Sequence, residues 1–413
     1  MVPCQTIVDA AEEHHADFIG LSGLITPSLE EMIHVVAELE RRGLRIPVLV
    51  GGAATSKLHT ALKIQPSYSG AVIYTRDASA LVPVVGALMN PDKRAQFLDT
   101  LRAEYAELTD AVEHRREALV PIAEARKRAV RHPWKNEPPA QGGLHAFHLT
   151  VEEMTPWLDW EGFAKAWDMP PRDSRTHDLI REAKELLAAS RMHAECVCGI
   201  FPACASGDAI RVLGEDGALR KLLPTLRQQG EKSEFAALAD FLSEEHSNTP
   251  DWIGALAVSV HGAEEEAAAF VKNGDDYSAL MLKSLANRLA EAAAEIVHAR
   301  IRETFWGYES APHPSIEEML KNRYRGIRPA PGYPTLPDHT LKREILDLLD
   351  AGKACGMSLT ENFMMVPQSS VCALVLANPE ARCFTVGKIA DDQLAEYAKL
   401  RGFPVDDLKQ WIS

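Results

Sequence analysis

The sequence predicts an α/β unit with a parallel sheet, followed by a larger α+β unit. In residues 1–92, short continuous apolar segments alternate with helical segments, which is typical of parallel strands buried on both faces. Residues 93–145 are charged and helical and end in a stretch rich in proline and glycine, which predicts a bridge and a linker. Residues 146–413 mix long helices with strands that do not alternate with them, which favours an α+β arrangement.

The first unit has three predicted strands, at residues 16–22, 46–50 and 70–74. Helices are predicted at 28–42, where Ser28 and Glu31 fit a capping box, and at 78–89. A doubly wound sheet normally has about five strands, so we expect a partial doubly wound domain without its first βα unit. Ligands bind such sheets at the carboxyl ends of the strands. The small residues and hydroxyls in the loops at those ends fit a large, mostly neutral cofactor, and plain tight turns remain the alternative.

The second unit is predicted to combine five strands with several helices. The strands lie at residues 196–202, 209–213, 252–260, 371–376 and 383–386, and the last two are expected to pair. The helices lie at 176–189, 235–242, 277–304, 342–349, 391–400 and 406–411. In the longest helix, leucines that include Leu280 and Leu285 are expected to face inward.

The segment 328–334 is the most distinctive loop of the second unit. Its three prolines exclude a helix or a central strand, and Gly332 permits a tight turn or the close approach of a ligand. Arg328 offers five donors in a fixed fork that suits a carboxylate. The sequence therefore allows two interpretations, a prepared ligand edge or a proline-rich surface loop.

Composition excludes several classes of protein. The net charge of −15 disfavours a nucleic-acid partner and an anionic membrane surface. There is no apolar run long enough for a transmembrane span and no pattern of a secretory signal. Seven cysteines without a Cys-x-x-Cys pair indicate reduced thiols in a cytoplasmic protein.

We expect neither a metal site nor a catalytic residue from the sequence. Cys196, Cys198 and Cys204 could form a metal cluster with His193, but the alternation of the first two is that of a strand. No motif of a nucleophile, a phosphate loop or a zinc protease is present.

Four segments carry a resemblance to a known family: 21–28, 50–53, 306–308 and 326–334, the last reading Gly-Ile-Arg-Pro-Ala-Pro-Gly-Tyr-Pro. In this order they resemble cobalamin-dependent methionine synthase, and the resemblance covers nearly the whole chain. It implies the rear part of a flavodoxin-like cobalamin-binding domain at 1–92, a helical bridge and linker at 93–145, and an S-adenosylmethionine-binding activation domain at 146–413.

The resemblance also implies two sets of cofactor-binding residues. Those for cobalamin follow the predicted strands: Ser22, Thr26, Gly51, Gly52 and Ala78. Those for S-adenosylmethionine belong to the second unit: Asp159, Glu291, Arg328, Ala330, Tyr333, Cys383 and Phe384. Arg328 would pair with the methionine carboxylate, and Asp159 or Glu291 would accept hydrogen bonds from the α-amino group or the ribose. Cys383 stands where the family usually has a tyrosine, and 366–370 departs from the family's Trp-Pro-Gly-Ala-Ser, so we expect an altered pocket wall.

The activity implied by the resemblance is methionine biosynthesis. In this family methylcobalamin, a cobalt cofactor, carries a methyl group from methyltetrahydrofolate to homocysteine. The activation domain restores the oxidised cofactor with S-adenosylmethionine and an electron from a flavodoxin-like or other flavoprotein donor. Swinging one domain onto the other needs a mobile link, for which we expect residues 131–145.

The sequence lacks the family's Asp-x-His-x-x-Gly motif, which ligates cobalt, and it lacks the folate and zinc-containing homocysteine modules. We therefore expect that this chain does not make methionine alone and that a separate chain supplies the missing modules. Two alternatives remain open. One is a stand-alone corrinoid- and S-adenosylmethionine-binding module without turnover, and the other is a truncated product.

Overall fold

The structure is a computed structural model that divides into two compact units, Met1–Ala118 and Leu119–Ser413. It describes residues 2–23, 27–52, 54–114, 118–132, 134–135, 137–170, 173–231, 233–247, 251–312 and 314–412. Within these ranges, none of the helices combines the length and apolarity that crossing a bilayer requires.

The first unit is built on a three-stranded parallel sheet. Its strands, in spatial order, are β1 (Ile19–Ser22), β2 (Val48–Gly51) and β3 (Val72–Tyr74). The helices are α1 (Cys4–Glu13), α2 (Pro27–Arg41), the short α3 (Lys57–His59), α4 (Ala78–Met89) and α5 (Pro91–His114). Alternate residues of β2 point to opposite faces, so Val48 packs in one core with α1 and α2 while Leu49 packs in the other with α4 and α5. The predicted parallel sheet is confirmed.

Helix α5 packs on the sheet of the first unit rather than standing free as a bridge. Leu101 and Tyr105 are buried in the core that contains Leu49. The Tyr105 hydroxyl donates to the carbonyl of Val72 at 3.0 Å and accepts from the amide of Tyr74 at 3.2 Å. The apolar stripe of this helix therefore faces the sheet, and the helix forms the outer layer on this side of the unit.

The second unit is built on a six-stranded antiparallel sheet. Its strands are β4 (Gly143–Thr150), β5 (His193–Ser206), β6 (Ala209–Leu213), β7 (Leu219–Pro224), β8 (Trp252–His261) and β11 (Ser370–Val375). The spatial order is β11-β8-β5-β6-β7, and β4 also pairs with β5. A separate hairpin pairs β9 (Ser358–Leu359) with β10 (Met365–Val366).

The helices of the second unit cover both faces of this sheet. They are α6 (Ile122–Arg128), α7 (Val151–Met154), α8 (Trp160–Ala166), α9 (Ser174–Ala189), α10 (Ala263–Lys272), α11 (Asp276–Arg300), α12 (Ile316–Leu320), α13 (Leu341–Leu348), α14 (Ala351–Cys355), α15 (Asp391–Arg401) and α16 (Val405–Lys409). Helix α11 buries Leu285 on one face with Cys196, and α13 buries Ile345 on the other with Val197. The predicted α+β arrangement is confirmed.

Three details of the prediction for the second unit are wrong. The segment 235–242 is not an α-helix but contains a single 3₁₀ turn at Leu238–Phe241, because Phe235 has a left-handed φ of +57° that a helix excludes. The strand β11 pairs with β8, and residues 383–386 form no strand, because their backbone is hydrogen-bonded to the loop at 334–335 instead. Leu280 is exposed, because the inner face of α11 follows Leu282, Leu285 and Leu289 at helical spacing and leaves residue 280 outside it.

The segment expected as a mobile link, 131–145, is hydrogen-bonded to the second unit at several of its described residues. The amide of His132 donates to the carbonyl of Asp240 at 2.9 Å, and that of Gln141 donates to Phe305 at 2.7 Å. From Gly143 onward the chain is the strand β4, which the glycine- and proline-rich composition did not reveal.

Candidate functional site

The arginine loop at 328–334 is fixed to the edge of the large sheet. The backbones of Ile327 and Leu376 exchange hydrogen bonds at 3.0 Å, and the amide of Leu374 donates to the carbonyl of Pro329 at 2.9 Å. Gly326 has φ +81°, and a Cβ there would lie 2.2 Å from the Leu376 carbonyl oxygen. Only glycine therefore allows the loop to approach the sheet this closely.

The far end of the loop is held by one histidine and by the segment before Val386. Gly332 has φ +92°, and a Cβ there would lie 2.4 Å from the ring of His339. The Thr335 hydroxyl donates to the carbonyl of Phe384 at 2.6 Å and accepts from its amide at 3.1 Å. This places Phe384 and the exposed Cys383 next to the loop, while the ring of Tyr333 is exposed.

Arg328 forms an ion pair with Glu295 of helix α11. The Nη2–Oε1 distance is 2.5 Å, and the two side chains are 17% and 12% exposed. The second guanidinium nitrogen, Nη1, and the second carboxylate oxygen, Oε2, are buried without a hydrogen-bond partner in the described structure. The pair therefore holds Arg328 in place and leaves one strong donor and one strong acceptor available. Ala330 packs against the core beside them.

Glu291 lies one turn before Glu295 and forms a second, more exposed pair. Its Oε2 is 2.8 Å from Nη1 of Arg288, and the side chains of Glu291 and Arg288 are 54% and 26% exposed. Partial burial raises the pKa of Glu291; the Asp159 carboxylate adds to this effect, and Arg288 and Arg328 oppose it. Charged groups on three separate elements therefore affect the pKa of Glu291.

Asp159 is held by the helix that follows it. Its Oδ1 accepts from the amide of Gly162 at 2.9 Å, which makes it the N-cap of α8. A Cβ at Gly162 would lie 2.3 Å from Asp159 Oδ2 and 3.5 Å from Arg288 Nη1. The structure therefore gathers Asp159, Glu291 and Arg328, which are far apart in the sequence, around the C-terminal half of α11.

A buried histidine close to the Arg328 pair was missed by the sequence reasoning. His298 is fully buried, and neither ring nitrogen has a hydrogen-bond partner in the part of the chain that the structure describes. Burial lowers the pKa of His298 well below its ordinary value, and the charges of Arg328 and Arg302 act in the same direction. Its ring meets the Tyr324 ring edge-on, with centroids 4.8 Å apart. The spacing of positions 291, 295 and 298 on one helical face is the signal that could have revealed both His298 and Glu295.

Tyr324 is a half-buried ring that contacts His298 and Arg302. Burial raises the pKa of Tyr324, and the Cys383 thiol and Glu295 add to the rise. The guanidinium of Arg302 lies 4.6 Å from the centroid of the Tyr324 ring. Asp159, Glu291 and Arg328 therefore border a layered site with an outer rim of acids and an inner layer formed by the buried His298 and Arg302 and the half-buried Tyr324.

In the first unit, the predicted residues lie where the strands end. Ser22 ends β1 beside Gly51 of β2. Gly52 has φ +103°, and a Cβ there would lie 2.3 Å from the carbonyl oxygen of Gly23, while one at Gly51 would lie 2.9 Å from that of Thr75. The two glycines therefore let the loops after β1 and β3 close over the end of β2.

The other two predicted residues of this unit are less fully described. Thr26 lies outside the described residues, and Ala78 is the first residue of α4, with its side chain also outside them. Near the glycines, the hydroxyl of Thr55 is buried without a hydrogen-bond partner among the residues of known placement. It is an acceptor and donor that the sequence reasoning did not single out.

Comparison with known proteins identifies both units. Residues 150–402 match the family model described as "Vitamin B12 dependent methionine synthase, activation domain". Residues 1–81 match the model described as "B12 binding domain". A solved structure described as "Crystal Structure of the MetH Reactivation Domain bound to AdoHcy" is similar to this chain with a TM-score of 0.67 at 34% identity. The match covers 71% of this chain and 97% of that one.

Proposed function

This chain belongs to the vitamin B12-dependent methionine synthase family, as the C-terminal part with its activation domain, and we propose that it binds S-adenosylmethionine and supports the reductive remethylation of cobalamin. The observation that carries the proposal is the Arg328–Glu295 pair with its available donor and acceptor. The AdoHcy in the similar reactivation domain supports a ligand with the same adenosyl and amino-acid parts.

Arg328 is suited to hold the carboxylate of the ligand. Its Nη2 is engaged by Glu295, so the guanidinium is fixed and Nη1 can donate a charge-assisted hydrogen bond without a large loss of side-chain entropy. Asp159 and Glu291 supply carboxylate oxygens for the ammonium group or the ribose hydroxyls.

The charges of the site fit this ligand. Three carboxylates (Asp159, Glu291 and Glu295) face two guanidinium groups (Arg288 and Arg328), so the ionised site has one net negative charge. S-adenosylmethionine combines a carboxylate with an ammonium and a sulfonium group and so has one net positive charge. The attraction would favour it over an anionic nucleotide.

In the first unit, the strand ends fit a large neutral cofactor. The match of residues 1–81 supports cobalamin as that cofactor. Gly51 and Gly52 allow the neighbouring loops to close, and the Ser22 side chain is exposed beside them. The buried hydroxyl of Thr55 has no hydrogen-bond partner among the described residues and could bond to the cofactor. These groups would bind and orient the cofactor rather than react with it.

When both cofactors are bound, the chemistry they supply is transfer of the sulfonium methyl group to cobalt, together with one electron from a flavodoxin-like or other flavoprotein donor. The part of this chain is to hold the ligand, which is positioning and not nucleophilic catalysis.

Calorimetric titration of the full chain with S-adenosylmethionine tests the proposal. We expect the wild type to bind and Arg328→Ala to weaken binding by about 1.5–3 kcal/mol, because a charge-assisted hydrogen bond is lost. Arg328→Lys keeps a positive charge for Glu295 but loses the fork, so weaker binding by a folded Arg328→Lys variant separates recognition from folding. Arg181→Ala removes an exposed guanidinium of the same unit and should leave the affinity unchanged. Absence of binding to the wild type would refute the proposal.

Cobalamin binding is tested by the visible absorbance that remains with the chain after gel filtration. We expect the wild type to retain the corrinoid and Gly52→Ala to lose it, because the added Cβ collides with the Gly23 backbone. Gly20→Ala, where a Cβ meets nothing within 4 Å, is the matched control. Equal retention by Gly52→Ala and the wild type would contradict the assigned position.

A further inference from the structure

We propose that His148, His193 and Glu195 form a binding site for a divalent transition-metal ion such as Zn²⁺ on the large sheet of the second unit. The site uses none of the residues assigned above to S-adenosylmethionine or cobalamin. Two imidazoles and one carboxylate are a donor set that zinc accepts readily.

The register of two strands brings the three side chains together. Strands β4 and β5 are antiparallel, with His148 directly opposite Glu195 and Thr150 opposite His193. Residues 193 and 195 are two positions apart on β5, so their side chains project from the same face as that of His148. The convergence is a result of strand pairing, because 45 positions separate His148 from His193.

The distances between ligand atoms fit one metal ion. Nδ1 of His148 is 3.2 Å from Oε1 of Glu195, and Nε2 of His193 is 3.9 Å from the same oxygen. One ligand atom from each of the three residues lies within 4.8 Å of the others. Tetrahedral zinc with bonds of about 2.0–2.2 Å separates its ligands by about 3.4 Å. Side-chain rotations of a few tenths of an ångström to about 1 Å would therefore complete the geometry.

The surroundings orient the two histidines. Nδ1 of His193 lies 3.4 Å from the carbonyl oxygen of Arg191, an arrangement that leaves Nε2 available as the metal ligand. The ring of His261 stacks on that of His193, with centroids 5.6 Å apart and planes 20° apart. His261 is itself held by a hydrogen bond from Nε2 to the carbonyl of Cys355 at 2.9 Å, so its ring helps to fix the orientation of the His193 ring.

The site is open on the side of a cavity. His193 and Glu195 line a cavity of about 820 Å³, whose other charged residues are two acids, Glu265 and Glu266, and two bases, Arg191 and Lys353. The side chains of His148, His193 and Glu195 are 49%, 37% and 36% exposed, so an ion has access. Three protein ligands leave a coordination position for water or a small ligand, as in zinc sites that bind exchangeable groups.

The competing interpretation is an ordinary surface ion pair. Such a pair contributes about 0–1 kcal/mol and binds no metal. The sequence groups His193 with the neighbouring cysteines instead, but Cys196 and Cys198 are fully buried, and burial raises the pKa of the Cys198 thiol to about 12. The partners of His193 are a histidine and a glutamate that only the sheet places beside it.

Calorimetric titration of the tag-free, chelator-treated full chain with Zn²⁺ tests the site. We expect one ion per chain with a dissociation constant in the micromolar range, and at least a tenfold weaker affinity in His193→Ala and in Glu195→Gln, because each loses one of three ligands. Co²⁺ added to cobalamin-free protein should give the visible absorbance of a tetrahedral ion in the wild type but not in His193→Ala or Glu195→Gln.

The matched control is His145→Ala. His145 lies on the same strand β4, but three positions before His148, so its side chain projects from the opposite face. We expect this variant to bind Zn²⁺ as the wild type does. The proposal is overturned if the wild type binds no zinc, or if His193→Ala and Glu195→Gln, checked for folding by circular dichroism, bind it with unchanged affinity.

Discussion

The Arg328–Glu295 pair should stabilise the second unit only while both partners are present. Its side chains are mostly buried, so replacement of one partner leaves a charge that water solvates poorly. Loss of one partner of a fully buried pair costs about 3–5 kcal/mol, and loss of a charged hydrogen bond about 1.5–3 kcal/mol. Because some solvent reaches this pair, we expect about 2 kcal/mol for Arg328→Met and about 2 kcal/mol for Glu295→Met.

The double variant should be less damaged than the sum of the two single variants. With both charges gone, two apolar side chains of similar length fill the space, and we expect a total loss of about 1 kcal/mol. The coupling energy between the two positions is then about 3 kcal/mol, at the upper end of what neighbouring residues show. Comparison of the double variant with the two single variants thus separates the interaction energy between Arg328 and Glu295 from the cost of leaving one charge unpaired.

Urea unfolding followed by tryptophan fluorescence measures these free energies. All seven tryptophans belong to the second unit, so the signal reports its unfolding and not that of the first unit. The matched control is the cycle of Arg288→Met and Glu291→Met, on the same helix and with the same pair of charges. That pair is more exposed, so we expect a coupling energy below about 1 kcal/mol. The reasoning is refuted if the Arg328–Glu295 coupling is below about 0.5 kcal/mol or no larger than that of the control.

Three further changes test the packing within each of the two units. Burial, with a neighbouring lysine, lowers the pKa of His339 to about 4, so its neutral form stabilises the fold above the ordinary value of 6.5, and this contribution is lost as pH falls from 6.5 towards 4. Between pH 7 and pH 5, the unfolding free energy measured in urea should fall by about 1–2 kcal/mol less in His339→Asn than in the wild type. The same pH dependence in both proteins would contradict the assignment. Gly332→Ala should lower the unfolding free energy by about 2 kcal/mol because of the positive φ and the collision with the ring, while Gly142→Ala, which meets nothing, should change it by less than about 0.5 kcal/mol. Tyr105→Phe removes a buried hydroxyl and should reduce hydrogen-exchange protection of β3 by about tenfold, unlike Tyr277→Phe at an exposed site; unchanged protection would mean that α5 is not anchored by this group.

Local patterns in the sequence determined most of the elements. The apolar segments around β1, β2 and β3 predicted strands because parallel strands are buried on both faces, and the helical spacing of 277–304 predicted α11. Errors arose where the pattern was ambiguous. The charged helix α5 was predicted to be a bridge because a narrow apolar stripe does not show which surface it covers, and β4 was hidden by glycine and proline before it.

The candidate site was predictable only in part. The resemblance supplied Asp159, Glu291 and Arg328, and the structure brings them together around the C-terminal half of α11. It did not supply Glu295 or His298, since a helix carries many polar residues and their burial depends on what packs against it. Similarly, no local pattern predicts a pairing between residues 33 positions apart.

The sequence by itself determined a stiff, proline-bounded loop with one arginine, because proline and glycine act on the backbone through bonded and steric effects that need no distant partner. Only the tertiary structure decided what that arginine and the histidines of the sheet contact. Strand register set His148 opposite Glu195, and helix packing set Glu295 against Arg328. Both depend on long-range burial of apolar surface, which selects one packed arrangement among many that the local sequence would allow.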